Sequence, residues 1–576
     1  MRILLLTHSF NSLTQRLLAE LREDGHEVSV EFDIADSVAE EAVALFAPDV
    51  IVAPFLKRAV PESIWREHLT LIVHPGIVGD RGPSALDWAI HNGEMTWGVT
   101  VLQAEAKMDA GPIWATREFP MRAAPKASVY RSEVSEGALA AVREALSQVA
   151  GWRAGTWSPA PLGDWPKARG QWRALMRQAD RRIDWSADST ATVLAKIRAA
   201  DGFPGVADAL FGKPCHLFDA QPGTAPAGAL PGAVVGRRDG AILRATVDGA
   251  VWIGHVKRGG SDHPFKLPAT LAFADETAAL PVLAGDADAA EIGYRESDDG
   301  RVGFLRFDFT NGAMGSDQCV RLREAIVAVG ARPTAVLVLE GGRDFWSNGI
   351  HLNVIEAAES PADESWANIN AMNDVCLALL QLTDKLTVAA MRGNAGAGGC
   401  FLALAADIVW AREGVVMNPH YKNMGNLFGS EYWSYLLPKR VGAEVGRQIM
   451  GDRLPLLARK AVALGLIDDC FGATPVAFAA ETGARAAALA VDPTLAARIA
   501  GKQARRAADE AAKPLAEYRA EELRHMQRNF YGFDPSYHVA RYHFVIKSPQ
   551  SWTPRHLARH RDLGWQAPAA KESVVT

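Results

Sequence analysis

Two glycine-bearing turns, each set directly behind a short apolar strand, constrain this chain more than any other feature. The first turn, residues 345–350 (Phe-Trp-Ser-Asn-Gly-Ile), follows the run Ala-Val-Leu-Val-Leu at 335–339. The second, residues 392–400 (Arg-Gly-Asn-Ala-Gly-Ala-Gly-Gly-Cys), follows Leu-Thr-Val-Ala-Ala-Met at 386–391 and feeds straight into the apolar stretch 401–406. Glycine lets a turn tighten and lets a ligand approach the chain, so such turns can aim backbone N–H groups into a pocket. Two donors converging on a thioester carbonyl would stabilise the charge that develops on its oxygen. Either turn alone reads equally well as an ordinary strand-to-helix connection; their order, spacing and flanking strands favour the pocket.

The N-terminal part has a different rhythm. Apolar runs at 2–6, 27–32, 49–53 and 69–73, with helical spacing over 13–24 and a turn at Gly25, predict a doubly wound α/β sheet with parallel strands. Such sheets bind ligands beyond the carboxyl ends of their strands. The polar loop 7–11 (Thr-His-Ser-Phe-Asn), Gln15 on the first helical turn, and His74 lie at such ends. Short strands with glycine turns at 232–236, 241–246 and 250–254 predict a small open barrel. Residues 272–290, rich in Ala, Asp and Pro, read as a linker, and the chain beyond Gly472 reads as helical, with starts at Pro493 and Pro514.

Composition removes several function classes. With 576 residues there is room for roughly three to five domain-sized units. A net charge of -6 offers nucleic acid no basic face. The five cysteines are scattered and form no C-x-x-C pair, so neither a disulfide framework nor a structural metal is expected, and a reducing cytoplasm fits. The opening apolar run is too short for a signal peptide and none approaches a membrane span, so no membrane partner is expected.

Residues 303–472 resemble the crotonase (enoyl-CoA hydratase/isomerase) superfamily, whose members hold an acyl-CoA thioester in an oxyanion hole. The resemblance places the hole donors at the amides of Asn348 and Gly398, with Gly349 and Gly399 beside coenzyme A. The two glutamates of family hydratases fall on Phe401 and Tyr421. Hydration needs a general acid and a general base, so hydratase activity is not expected while thioester binding is. Glu431, on the next glycine-bearing loop, and Tyr421 are the remaining groups able to move a proton. In the helical tail, Arg541 and Lys547 are candidate coenzyme A contacts, a surface packing role being the alternative.

The segment around His74 resembles the 10-formyltetrahydrofolate-dependent formyltransferases, through His-Pro-Gly at 74–76, Arg-Gly at 81–82, Gly-Val-Thr at 98–100 and Asp-Ala-Gly at 109–111. The resemblance implies that His74 and Asp109 are catalytic and that Gln15, Arg81 and Ser84 help bind the folate or formyl group. A histidine near neutral pKa suits proton movement about a tetrahedral intermediate. The family asparagine two residues before the histidine falls on Ile72, which has no donor. Residues 179–205 resemble the start of the C-terminal domain of methionyl-tRNA formyltransferases, but the local charge lacks a basic stripe for tRNA.

The expected fold is therefore an α/β multidomain chain: a Rossmann-like formyltransferase domain at 1–160, an OB-like barrel at 165–270, a linker at 271–295, a crotonase-like core at 296–475 and C-terminal helices at 476–576. The combination resembles hydrogenase maturation factors that fuse these two modules. That implies formyl transfer from 10-formyltetrahydrofolate to coenzyme A, then decarbonylation of formyl-CoA to carbon monoxide for the iron of nickel–iron hydrogenase, with hydrogenase maturation proteins as partners. Two alternatives stand beside it: a formyl-folate hydrolase or formyltransferase regulated by acyl-CoA, and a non-catalytic assembly scaffold.

Overall fold

Near-continuous apolar strands must be covered on both faces, and residues 1–120 meet this with a six-stranded sheet in the order β2-β1-β3-β4-β5-β6. Its strands are β1 (Arg2–Thr7), β2 (Glu27–Phe32), β3 (Val50–Phe55), β4 (Thr70–His74), β5 (Thr96–Gln103) and β6 (Ile113–Pro120). The first four run parallel, and β5 and β6 each turn back on the strand before. The computed structural model describes residues 1–165, 168–260, 265–283 and 290–562. The first helix, Ser12–Glu23, begins where the Asn11 side chain accepts the Thr14 N–H at 3.0 Å. Strand order reverses beside β1, so the loops after β1, β3 and β4 open on one crevice with His74 at its edge.

The second module packs the helix Thr190–Ala200 on an antiparallel sheet ordered β7-β8-β11-β10-β9, with β12 paired to β11. These strands are β7 (Val206–Leu210), β8 (Lys213–Gly223), β9 (Val234–Arg238), β10 (Ala241–Ala245), β11 (Ala250–Arg258) and β12 (Lys266–Pro268). The expected linker at 271–295 is largely structured where it is described. Phe273 is fully buried in the core of the second module, Ala274–Ala278 is helical, and β13 (Ile292–Glu296) already belongs to the next sheet. Its residues 284–289 lie outside the described residues.

The third module is built on the sheet β13-β14-β16-β19-β21-β24. Its remaining strands are β14 (Val302–Phe307), β16 (Val336–Glu340), β19 (Leu386–Met391), β21 (Ile408–Arg412) and β24 (Asp469–Phe471). Short strands lie between them in sequence: β15 (Ala313–Met314), β17 (Phe345–Ser347), β18 (Gly349–Ile350), β20 (Asn394–Gly396), β22 (Val416–Asn418) and β23 (Leu456–Leu457). The order β17-β20-β22-β23 forms a second sheet. Each of β16, β19 and β21 thus hands the chain to a strand of this small sheet, and both glycine turns lie at such a hand-over. Four long helices follow, Pro475–Val491, Leu495–Ala512, Leu515–Tyr531 and Ser536–Ile546. No helix among the described residues is long and apolar enough to cross a membrane.

The last described residues return to the first module. Leu557 O accepts the Val30 N–H at 3.0 Å, and the Thr553 hydroxyl accepts the Phe32 N–H at 2.9 Å. The fully buried Glu31 is ringed by Thr553, His560 at 2.9 Å and Arg561 at 2.7 Å. These contacts occupy the β2 edge, which would otherwise present unpaired backbone groups.

Candidate functional site

In the first module His74 ends β4 between two carboxylates. Its Nε2 lies 3.0 Å from Asp80 Oδ2, and its Nδ1 lies 3.6 Å from Asp109 Oδ1. Asp109 occupies a left-handed turn, φ 51°, and its Oδ2 accepts the Gly82 N–H at 3.1 Å. The His74–Asp80 contact closes over Gly76, where any Cβ would overlap the imidazole and the Asp80 carboxyl. Asp80 is buried and carries no motif of its own; its one signal in the sequence is an acid six residues after the histidine, inside the same glycine-containing turn. A histidine held this way can take a proton on one nitrogen while a carboxylate balances the imidazolium at the other.

The neighbouring candidates fare unevenly. Arg81 keeps a buried Nε with no protein partner, which suits an anionic or carbonyl ligand. Ser84 instead accepts the Met176 N–H at 3.2 Å and pins the segment that crosses the turn. Gln15 spends both ends of its amide, donating to Phe10 O at 3.0 Å and accepting from Asn418 Nδ2 of the third module at 2.9 Å. Asn11 caps its helix. Ile72 sits mid-strand, half-buried and paired with Leu102, and supplies no donor; Asn11 and Gln15 are committed, whereas Ser84 is engaged there only as an acceptor and Arg81 Nε has no protein partner.

The glycine turns of the third module do meet, with one correction. The Asn348 N–H is committed to Gly312 O at 2.7 Å and its side-chain amide to Asn311 O at 2.8 Å, so it is not a free hole donor. The adjacent amide, Gly349, donates to the Ser347 hydroxyl of its own turn at 3.1 Å and lies in β18, in register with Ala313 of β15. A Cβ on Gly349 would stand 3.4 Å from the Gly398 nitrogen, which places these two glycines side by side. Gly398 and Gly399 open the helix Gly398–Leu404, where first-turn N–H groups have no intrahelical acceptor. The first glycine turn is thus packed, through Gly349, against the first-turn amides of this helix.

Opposite Gly398 is a carboxyl. Any Cβ at Gly398 would collide with Glu431, and Glu431 Oε2 accepts the Tyr421 hydroxyl at 2.6 Å. Both residues are buried, at 1% and 5% exposure. Burial pushes the Glu431 carboxyl up to about 8; the Tyr421 hydrogen bond opposes the shift and Glu522 adds to it. Burial and the Glu431 charge hold the Tyr421 phenol well above its ordinary value. Phe401 stacks on Tyr421, ring centroids 5.5 Å apart at 13°, and forms a dry wall where a hydratase has an acid. Phe401→Glu is expected to destabilise the protein by about 3–5 kcal/mol, as for loss of a buried phenylalanine, read as a lower urea midpoint. An unchanged midpoint would show that the ring is not packed as described.

Of the two tail candidates, Arg541 is unavailable to a ligand. It is 3% exposed, bound to Glu356 at 2.6 Å and to His538 at 2.9 Å. Lys547 differs: burial lowers its pKa, and so do Lys266, Lys57, Lys257 and Arg131, cations drawn from the first two modules. Such a convergence favours a polyanionic ligand. Arg131 also reaches Asn311 Oδ1 at 3.0 Å and lies over the Phe345 ring at 4.7 Å, beside the first glycine turn. No sequence signal groups these cations, because they come from distant segments.

Comparison with known proteins matches the profile "Formyl transferase" over residues 31–146, "Formyl transferase, C-terminal domain" over 175–263 and "Enoyl-CoA hydratase/isomerase" over 327–553. The chain is 56% identical over 565 residues to the hydrogenase maturation factor HoxX of Bradyrhizobium diazoefficiens, covering 97% of each. It is 32% identical over 234 residues to a methionyl-tRNA formyltransferase of Roseiflexus castenholzii, 38% of this chain and 71% of that one. The crystal structure of HypX from Aquifex aeolicus in complex with tetrahydrofolic acid superposes with a TM-score of 0.93 at 47% identity, covering 98% of this chain and 100% of that one.

Proposed function

Given that the chain belongs to the family of hydrogenase maturation factors represented by HoxX and HypX, we propose that it makes carbon monoxide for the hydrogenase iron centre. The substrates are 10-formyltetrahydrofolate and coenzyme A. His74 takes the thiol proton as sulfur attacks the formyl carbon, and delivers it to N10 as the C–N bond breaks. Asp80 and Asp109 hold the imidazole and offset its charge. The Lys547 cluster suits the phosphates of coenzyme A, and the related HypX structure with tetrahydrofolic acid supports folate use by the first module.

In the third module the Gly398 amide holds the formyl oxygen. The Glu431 carboxylate removes the formyl proton, the C–S bond breaks, carbon monoxide leaves, and the proton passes to the thiolate, so the net products are carbon monoxide and free coenzyme A. Tyr421 keeps its hydroxyl on the second Glu431 oxygen throughout.

The observation that carries the reading is the buried Tyr421–Glu431 pair pressed against Gly398. A buried carboxyl with so raised a pKa is costly, and such groups cluster where chemistry uses them, which a scaffold would not need. The test is direct: purified protein with both substrates is expected to release carbon monoxide, trapped as carboxyhaemoglobin. Release no greater than in a reaction lacking coenzyme A overturns the proposal.

A further inference from the structure

The loop that carries Glu431 is held in an unusual shape. Glu431 and Tyr432 are consecutive left-handed residues, φ 60° and 59°, a conformation that side-chain-bearing residues adopt only at a cost of about 1–2 kcal/mol each. The helix Trp433–Val441 starts immediately after them without a side-chain cap of its own. Its missing acceptor comes from the C-terminal helix Leu515–Tyr531. Glu522, buried at 1% exposure, accepts the Tyr432 N–H at 3.0 Å on one oxygen, and the Ser434 N–H at 2.8 Å and Ser434 hydroxyl at 2.5 Å on the other. The Ser430 hydroxyl lies 3.3 Å from Glu522 and 2.9 Å from Asn373, and Asn373 Oδ1 also accepts the Glu431 N–H at 2.7 Å.

Glu522 is thus a remote N-cap for one helix and a clamp on the strained turn before it. It fixes where the Glu431 side chain points and sets a second carboxyl behind it. We propose that Glu522 is a positioning residue of the Glu431 site, holding that carboxyl against Gly398 and Tyr421. This rests on the decarbonylation assigned above to Glu431. The titratable groups facing Glu431 are Tyr421, Glu522 and the thiols of Cys319 and Cys376; Arg519, one turn before Glu522, is paired with Asp374 at 2.6 Å.

Full-length Glu522→Gln protein tests the inference, since it keeps the volume, removes the charge and turns one of the two accepting oxygens into an amide donor, which releases half of the clamp. Carbon monoxide release is expected to fall on the order of 100-fold, as for a misplaced reacting group, with formyl-dependent release of tetrahydrofolate unchanged. The pH midpoint of carbon monoxide formation moves down, because Glu522, itself pushed up to about 7 by burial, no longer adds its charge to the burial that chiefly raises Glu431. The infrared band of the protonated Glu431 carboxyl, assigned by its loss in Glu431→Gln, reports the same midpoint without turnover. A wild type that makes no carbon monoxide therefore overturns the decarbonylase reading while the band still decides the role of Glu522. A wild-type rate and midpoint in Glu522→Gln, or an unmoved band, overturns the proposal. If Glu522→Gln does not fold, Ser434→Ala removes a single ligand of the clamp: a severalfold loss confined to carbon monoxide release supports it, and an unchanged rate and midpoint overturn it.

Discussion

His74→Ala protein given 10-formyltetrahydrofolate and coenzyme A is expected to release both tetrahydrofolate and carbon monoxide about 100- to 10,000-fold more slowly than the wild type, the usual worth of a positioned proton-transfer group. The effect should be large because His74 is the group placed both to take the proton and to return it. Ile72 supplies no donor, Asn11 and Gln15 are engaged elsewhere, and the unpaired Arg81 guanidinium can hold charge but not exchange a proton. The two modules can be separated by the choice of substrate. Formyl-CoA supplied directly enters beyond the His74 step, so the variant should convert it to carbon monoxide at the wild-type rate. If His74→Ala is equally slow with formyl-CoA, His74 does not act where it has been placed. Asp80→Asn should show a smaller loss of the same kind, since it leaves the imidazole in place but unbalanced.

Glu431→Gln is expected to abolish carbon monoxide release, by roughly 1000-fold or more, while tetrahydrofolate release continues and formyl-CoA accumulates. It should also make the protein more stable, in a pH-dependent way. The folded-state pKa of Glu431 is raised from 4.5 to about 8, so the folded protein resists ionisation of a group that ionises readily when unfolded. Below pH about 4.5 the carboxyl is neutral in both states and carries no such penalty. As pH rises from there the penalty grows, and above about 8 it is complete. At about 1.4 kcal/mol for each tenfold change in acidity, Glu431→Gln should gain up to a few kcal/mol at pH 8 and nothing near pH 4. Urea unfolding at both pH values measures this. Wild-type carbon monoxide formation should follow the opposite trend and rise towards pH 8, because the base must be ionised to work. A variant no more stable at pH 8 than at pH 4 would falsify the buried-base assignment.

The parts of these sites that are legible in sequence are those made by neighbours along the chain. The glycine turns, the strands before them and the end of β4 at His74 follow from local patterning. The meeting of Tyr421 with Glu431 needs only two short loops to fold over one turn. The rest depends on distant segments. Whether the Asn348 amide is free is decided by the Gly312 carbonyl of another loop, which accepts it. Arg541 resembles a phosphate contact until Glu356 folds against it. Lys57, Lys257 and Lys266 gather around Lys547 only because three modules close on one space, and the carboxyl behind Glu431 arrives from a helix some ninety residues later. Sequence shows the reacting groups and conceals the groups that commit or tune them.

The return of residues 553–562 to the edge of β2 sets a schedule for biosynthesis. The strand Glu27–Phe32 leaves the ribosome early, yet the partners of Glu31 and the cover of that edge are made some five hundred residues later. At about 5–20 residues per second that is about half a minute to two minutes. Throughout that interval the nascent first module carries an uncovered strand and an unpartnered acid. Until then that strand edge stands open to other chains, the surface that its own C-terminus finally claims. The order of the modules along the gene is thereby part of the folding problem: the edge of the formyltransferase-like half is covered last, although that half is made first.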